Sequence, residues 1–496
     1  AGPRRTLALG VELIDVDLAR GKRFRNRVND ARAITADELE QHHGPLIGAL
    51  FDATLDHDAK PSGAQTFEPA RQGVHVCARH AHAENAGELA SQAAHAALDP
   101  APAVLLDYRC YRLDQTWPVF PNHRDDKRLH AEQASIAGMF AKRAQQVEPF
   151  LAMEVMERGM AMSRTGTSIV QLGVGEPDFD APPAAVKAAV ASLHAGETHY
   201  TDSRGLHELR QAIATECEAR RGVPVDPDQV IVTSGTSPAI LLCLSLLVDA
   251  GDEVILATPH YPCYPNMITA CGGTPVLVPT SPQDGFIMDV AKVREAITPR
   301  TRAIFLASPA NPTGAVQPRE VVEDLAELGV PILSDEIYDG LTYDGAEVTS
   351  PLGLADEVYL LDGFSKRYAM TGFRLGYLIA PKQAMRALQS FNQSFFISTS
   401  QFVQQSGIAA LAHGADHVEH MRREYAIRRR LLIDGLREMG LSIPIDPPGA
   451  FYVLVDMRHF ERDSLTLCFD ILDEAHVALG PGRDFGEIAE GFVRFS

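Results

Sequence analysis

From residue 169 onward, short apolar runs alternate with longer stretches of helical character. Near-continuous apolar runs at 230–233, 253–257, 275–278, 303–307, 332–334 and 358–361 read as strands buried on both faces. The segment Ser234-Gly235-Thr236-Ser237-Pro238 after the first of them opens a long helix. Strands separated by helices predict an α/β fold with a mostly parallel central sheet covered on both sides. There is no fixed-period repeat and no low-complexity segment.

The first 130 residues carry a different pattern. Partial alternation over 6–18 predicts a strand. Residues 36–55 predict a helix with Thr35 as N-cap and a break at Gly44-Pro45. Residues 86–98 predict a helix stopped before Pro100, and 104–113 predict a strand. Together they read as a small α+β unit, with residues 117–126 as its linker.

Charge and cysteine usage narrow the function classes. The formal net charge of −20 over 496 residues disfavours nucleic acid and anionic lipid as partners. Seven scattered cysteines without a CxxC pair argue for a reducing compartment and against a disulfide framework. The longest apolar run, residues 239–248, falls far short of the roughly 20 residues that span a bilayer. No basic-then-apolar leader is visible at the N-terminus. These readings predict a cytoplasmic protein.

Four pieces carry candidate chemistry, each weak alone. Gly363-Phe364-Ser365-Lys366 follows an apolar run, and Arg374 comes eight residues after the lysine. A lysine at a strand end can form a Schiff base and a nearby arginine can neutralise a phosphate, although a lone lysine is usually a solvated charge. Asp335 and Tyr338 follow the run at 332–334, where a carboxylate can point into the crevice of an α/β sheet; a helix N-cap is the plain alternative. Asn311, in Asn-Pro-Thr-Gly, is an amide donor in a segment that also suits a turn. Gly235, Thr236 and Ser237 present a small-residue turn whose N–H groups could receive a phosphate.

Taken together and in order, these pieces resemble the class I/II aminotransferases of the fold-type I pyridoxal-phosphate enzymes. The resemblance covers roughly residues 132–496. Further landmarks are Gly173-Val174-Gly175-Glu176-Pro177-Asp178-Phe179, Tyr200 to Gly205, Pro259-His260-Tyr261, Pro448 to Tyr452 and Gly491 to Arg494. The resemblance implies pyridoxal 5′-phosphate as cofactor, joined to Lys366, which also serves as general base. Asp335 would hold the pyridine nitrogen protonated. Tyr338 and Asn311 would bond the ring oxygen, and Tyr261 would stack on the ring. Gly235, Thr236, Ser237 and Arg374 would hold the phosphate. Gly175, Asn311 and Arg494 would meet the substrate, Arg494 gripping its α-carboxylate. Tyr200 would reach the phosphate of a partner subunit, implying a homodimer with shared sites. The implied layout is an extra α+β unit at 1–130, an N-terminal arm with part of a small domain at 131–184, a large cofactor-binding domain at 185–390 and a C-terminal small domain at 391–496.

The departures leave questions open. The family commonly has a serine where this chain has Gly363, so one usual phosphate ligand must be replaced. Relatives usually continue through a further helix past Arg494. The family offers no counterpart of residues 1–130. That segment holds 16 Lys+Arg and 18 Asp+Glu, too balanced for a DNA-binding module, and is expected to shape substrate access or to act as a cap. The histidines around Cys77 fit no zinc spacing, so no metal site is expected. The same motifs also serve elimination, γ-replacement and carbon–carbon bond formation, including on S-adenosylmethionine. Transamination is the leading reading, with a small-molecule amino acid as substrate.

Overall fold

A computed structural model describes residues 140–496. The elements expected within 1–130 lie outside the described residues.

The described chain begins with helix α1 (Leu151–Arg164), strand β1 (Val170–Gln171) and helices α2 (Pro183–His194) and α3 (His207–Arg221). An α/β succession follows: β2 (Val230–Thr233), α4 (Thr236–Leu247), β3 (Glu253–Thr258), α5 (Cys263–Ala270), β4 (Thr274–Pro279), α6 (Val290–Ala296), β5 (Thr301–Ala307), α7 (Arg319–Ala326), β6 (Ile332–Asp335) and β7 (Val358–Gly363). The remainder comprises β8 (Gly376–Ile379), α8 (Met385–Phe395), α9 (Gln401–His413), α10 (Ala415–Glu438), β9 (Val453–Asp456), α11 (Ser464–Ala475), β10 (Val477–Ala478), β11 (Gly480–Pro481) and β12 (Phe492–Phe495).

Seven strands form the central sheet in the order β2-β8-β7-β6-β5-β3-β4. Only β8 runs against its neighbours. The period of two along each strand explains why the runs look uniformly apolar. In β5, Ala303 and Phe305 join the core beneath α4, α5 and α8, while Ile304 and Leu306 join the opposite core with α6 and α7. Near β2 and β8 that opposite face is covered by α3 and α9, through Leu209, Ile213 and Val403. Each fully buried aliphatic side chain here contributes about 1.5–3 kcal/mol.

A second core combines chain from both sides of the sheet-forming stretch. β1 pairs in parallel with β10, and β11-β12-β9 form a small antiparallel sheet. Val155 of α1 packs there with Ile433, Leu436, Val455, Leu472 and Val493. Asp484 fixes the start of α1, accepting hydrogen bonds from the amides of Leu151 and Ala152 at 2.8 and 2.7 Å. These are N–H groups that a helix start otherwise leaves without partners.

Strand β8 was not evident in the sequence, because it is only four residues long and begins with a glycine. Its first residue, Gly376, is opposite Gly363 of β7. A Cβ on Gly376 would lie 2.6 Å from the carbonyl carbon of Gly235 and 2.8 Å from the amide of Thr236. A Cβ on Gly363 would lie 2.9 Å from the Cα of Gly376. Two glycines thus let β7, β8 and the start of α4 approach closely, which accounts physically for a residue without a side chain at 363.

Gly376→Ala should push this layer apart. The expected loss is about 1–3 kcal/mol, as for other overpacked sites. Urea denaturation of the purified protein measures it, and an unchanged midpoint would show that the layer yields freely.

Candidate active site

The C-terminal ends of β2, β3, β5, β6 and β7 open on one edge of the sheet, where loops can carry chemistry. Asp335 is the last residue of β6 and is buried. Its Oδ2 accepts from the hydroxyl of Tyr264 at 2.7 Å and its Oδ1 from the amide of Ile337 at 3.1 Å. No helix begins there, so the capping alternative does not hold. Burial raises the carboxyl to about 6 against those two stabilising bonds, and Asp362 and Glu336 push the same way.

Lys366 lies three residues beyond β7. Its Nζ donates to the carbonyl of Gly175 at 2.5 Å and lies 6.0 Å from the Phe451 ring centre. The residue is only half-buried by exposed area, yet its amine lies in crowded surroundings. Loss of water lowers it to about 8; Glu176 opposes the shift, and Arg494 and Arg374 add to it. A lysine so tuned offers a substantial neutral fraction near neutral pH. Gly175 is held tightly from the other side: an added Cβ would collide with the Tyr452 hydroxyl.

Among the described residues, Arg494, in β12, is the largest of those fully buried, with 1% exposure. It lies between two rings, 4.5 Å from the centre of Tyr452 and 4.8 Å from that of Phe485. It donates to Asn311 Oδ1 at 2.8 Å and to the Gly173 carbonyl at 2.5 Å, while its Nε is buried without a partner. Tyr338 and Tyr452 share a hydrogen bond of 2.5 Å between their hydroxyls, and burial holds the Tyr338 phenol well above its usual range. Tyr261 meets Tyr264 edge-on at 5.3 Å and Phe150 at 6.0 Å.

Arg374 adopts a left-handed backbone, φ 53°, and lies against the turn before α4. One of its guanidinium nitrogens is 2.6 Å from where a Cβ of Gly235 would be, and Gly235 itself has φ 96°. Only glycine suits that position on both counts. Thr236 and Ser237 begin α4, so the free amides of its first turn lie beside the guanidinium. An open cavity of about 600 Å³ adjoins this corner, lined by Ser234, Arg374, Phe179, Thr399 and Phe402.

One chain therefore brings together Lys366, Asp335, Tyr338, Asn311, Gly175, Arg494 and Tyr261, with Arg374 and the turn at Gly235, Thr236 and Ser237 at one end. It does not bring Tyr200 among them: that ring is 81% exposed, beside a groove formed by residues 398–402. Sequence reasoning passed over Tyr264, although its place three residues after Tyr261 was a usable signal once α5 was assigned. Phe485 gave none, since nothing local relates it to Arg494. Among the described residues no group of three or more His, Cys, Asp or Glu could hold a metal ion, and no helix is long and apolar enough to cross a membrane.

Residues 167–496 match the family model described as aminotransferase class I and II. The aspartate/prephenate aminotransferase of Thermus thermophilus is 40% identical over 364 residues, which are 72% of this chain and 93% of that protein. The valine–pyruvate aminotransferase of Mycobacterium tuberculosis is 39% identical over 357 residues, 71% of this chain and 92% of that one. A solved aspartate aminotransferase from Thermus thermophilus with maleate superposes with a TM-score of 0.69 at 39% identity, over 72% and 94% of the two chains.

Asp335→Asn should stabilise the cofactor-free protein at pH 7. The buried carboxyl of the native state binds its proton more tightly than the unfolded one, so its favourable contribution is complete below about pH 4 and lost as pH rises through 6. The expected gain is about 1–3 kcal/mol at pH 7, vanishing below pH 4. Denaturant titrations of both proteins across that range test it; equal stability at pH 7 would refute the burial penalty.

Proposed function

This chain belongs to the class I and II aminotransferase family and depends on pyridoxal 5′-phosphate, and we propose that the residues gathered around Lys366 are its active site. The observation that carries this reading is the Asp335 carboxylate, buried with only neutral hydrogen-bond partners in the same enclosure as a lysine lowered to about 8.

The residues fit the cofactor. Asp335 offers negative charge to a pyridinium. Arg374 and the open amides at the start of α4 offer a phosphate site, with no side chain at Gly235 to block it. Tyr338 and the Asn311 amide are donors for the ring oxygen, and Tyr261 is an aromatic face for the ring. When bound, the cofactor supplies an aldehyde for the amino group and a ring that draws electrons from Cα.

The remaining steps belong to the protein. Arg494 binds the α-carboxylate; its two stacked rings and its bonds to Asn311 and Gly173 hold the guanidinium in one orientation, and a planar fork suits a carboxylate better than an ammonium does. The neutral fraction of Lys366 takes the Cα proton and later returns one. Asp335, kept from water, holds its charge where the ring nitrogen is protonated. The loop around Gly175 closes the opposite side and excludes water. The net reaction transfers an amino group from an amino acid to a 2-oxo acid. Relatives named for aspartate, valine and arginine share the same scaffold, so the donor side chain is not inherited from them.

We also propose a homodimer. An exposed Tyr200 beside an open groove supports a role for this residue in a partner's site. The scattered cysteines support a reducing, cytoplasmic setting.

Borohydride reduction of the loaded enzyme should label Lys366, and a label on another lysine would end this assignment. Arg494→Lys should raise KM for amino acids at least about tenfold with a smaller change in kcat; an unaltered KM would remove its carboxylate role. Mixing Tyr200→Phe and Lys366→Ala chains should restore activity through one intact shared site. No gain over either parent, in a preparation shown to contain heterodimers, would contradict the role in trans.

A further inference from the structure

Behind the site lies a charged cluster that the mechanism above does not use. Arg221 ends α3, where a cation also complements the helix dipole. Its Nε donates to Glu336 Oε2 at 2.7 Å, and its Nη2 donates to Asp362 Oδ2 at 3.0 Å. Exposure of the three side chains is 4%, 1% and 2%. Glu336 directly follows Asp335, and Asp362 belongs to β7, four residues before Lys366. The other carboxylate oxygens are filled as well. Ser334 and Ser350 donate to Glu336 Oε1 at 2.9 and 2.6 Å. Tyr377 donates to Asp362 Oδ2 at 2.8 Å, and the Gly363 amide to Oδ1 at 2.7 Å. Arg220 pairs with Asp339, and Arg367, next to Lys366, pairs with Glu216 of α3. Three guanidinium groups thus face four carboxylates.

Stability alone does not explain such a cluster, because apolar residues of the same volume serve a core equally well or better. What an apolar side chain cannot do is bond two strands at defined positions. We propose that Arg221 is a positioning residue, whose one guanidinium ties the turn carrying Asp335 to the strand leading into Lys366 and so fixes the separation of these two groups. The inference rests on the roles given above to Asp335 and Lys366.

Charge gives it a second consequence. Asp335 faces Tyr264 from α5, Glu336 and Tyr338 from its own loop, Asp362 from β7 and Lys366 from the following turn. Glu336 and Asp362 both favour the protonated carboxyl, and Arg221 is the cation hydrogen-bonded to both of them. Burial would lower the Arg221 guanidinium, yet these two carboxylates hold it well above its usual range, so it stays charged.

The test uses the loaded enzyme and four variants. Arg221→Lys keeps the charge and loses the fork; Arg221→Met loses both; Glu336→Gln removes one of the opposing charges. Arg210→Lys is the control: Arg210 is equally buried on α3 but bonds Gly205, Pro227 and Asp228, not β6 or β7. Cofactor dissociation constant, kcat, KM, the pH profile and the melting point of the cofactor-free protein are measured. Arg221→Lys should lower kcat and weaken cofactor binding, each about tenfold, with KM within about twofold. The acid limb of kcat should move to higher pH in Arg221→Met and to lower pH in Glu336→Gln. Arg210→Lys should lower the melting point and leave kcat, cofactor affinity and pH profile alone. Wild-type kcat and affinity in Arg221→Lys would overturn the proposal, as would the same losses in Arg210→Lys. If Arg221→Met does not fold, the Lys and Gln variants decide. Borohydride labelling of the wild type separates the two levels. A label away from Lys366 defeats the active-site reading, whereas a label on Lys366 with an unaffected Arg221→Lys defeats only the positioning role.

Discussion

Three ionisable groups, Lys366, Asp335 and Arg494, have to be withdrawn from water in one place, and most of the surrounding structure answers to that requirement. Each would be unstable there unaided. The response differs by group. Lys366 is lowered to about 8 and Asp335 raised to about 6, so each is eased toward neutrality. Arg494 is instead enclosed between Tyr452 and Phe485, with an amide oxygen and a carbonyl as acceptors. A pocket so arranged, with Arg374 beside Gly235 at one end, suits ligands that bring a pyridinium to Asp335, a carboxylate to Arg494 and a phosphate to Arg374.

The scaffold meets the requirement by division of labour. Parallel strands deliver Asp335, Asn311, Tyr261 and Lys366 to a common edge, because their carboxyl ends all face one way. The single reversed strand, β8, begins beside the start of α4 and brings Arg374 against Gly235. Arg494 comes from β12 of the small sheet, whose Val493 and Phe495 belong to the other core, and Phe485 from the segment between β11 and β12. Asp484 joins that segment to α1, so the start of the described chain and its end are fastened within one local arrangement.

Much of the site was legible because its residues sit in short, ordered motifs. Lys366, Asp335, Tyr338 and Asn311 each lie at or shortly after the end of an apolar strand, and strand ends are what periodicity reveals best. Their meeting in one place could be expected through the family resemblance. Tyr264 was less visible, since its role depends on one helical turn from Tyr261 and on a carboxylate 71 residues away. Phe485, Asp484 and Arg221 left no local trace. Their partners are Arg494, the amides of α1, and a pair of carboxylates, one just past β6 and one in β7. Strand β8 was missed for a related reason: four residues with a glycine first carry too little pattern to stand out from the turn before them.

The sequence by itself determined the alternation of strand and helix, the two-faced burial of the sheet and the chemical kinds of group at its edge. These follow from side-chain period and from residue type at strand ends, both local properties. Only the tertiary structure decided which hydroxyl holds Asp335, which rings enclose Arg494, why residue 363 has room for no side chain, and which guanidinium spans β6 and β7. Each of those depends on atoms from distant parts of the chain meeting within hydrogen-bond or van der Waals distance. Such distances are set by packing of whole elements, which no local pattern encodes.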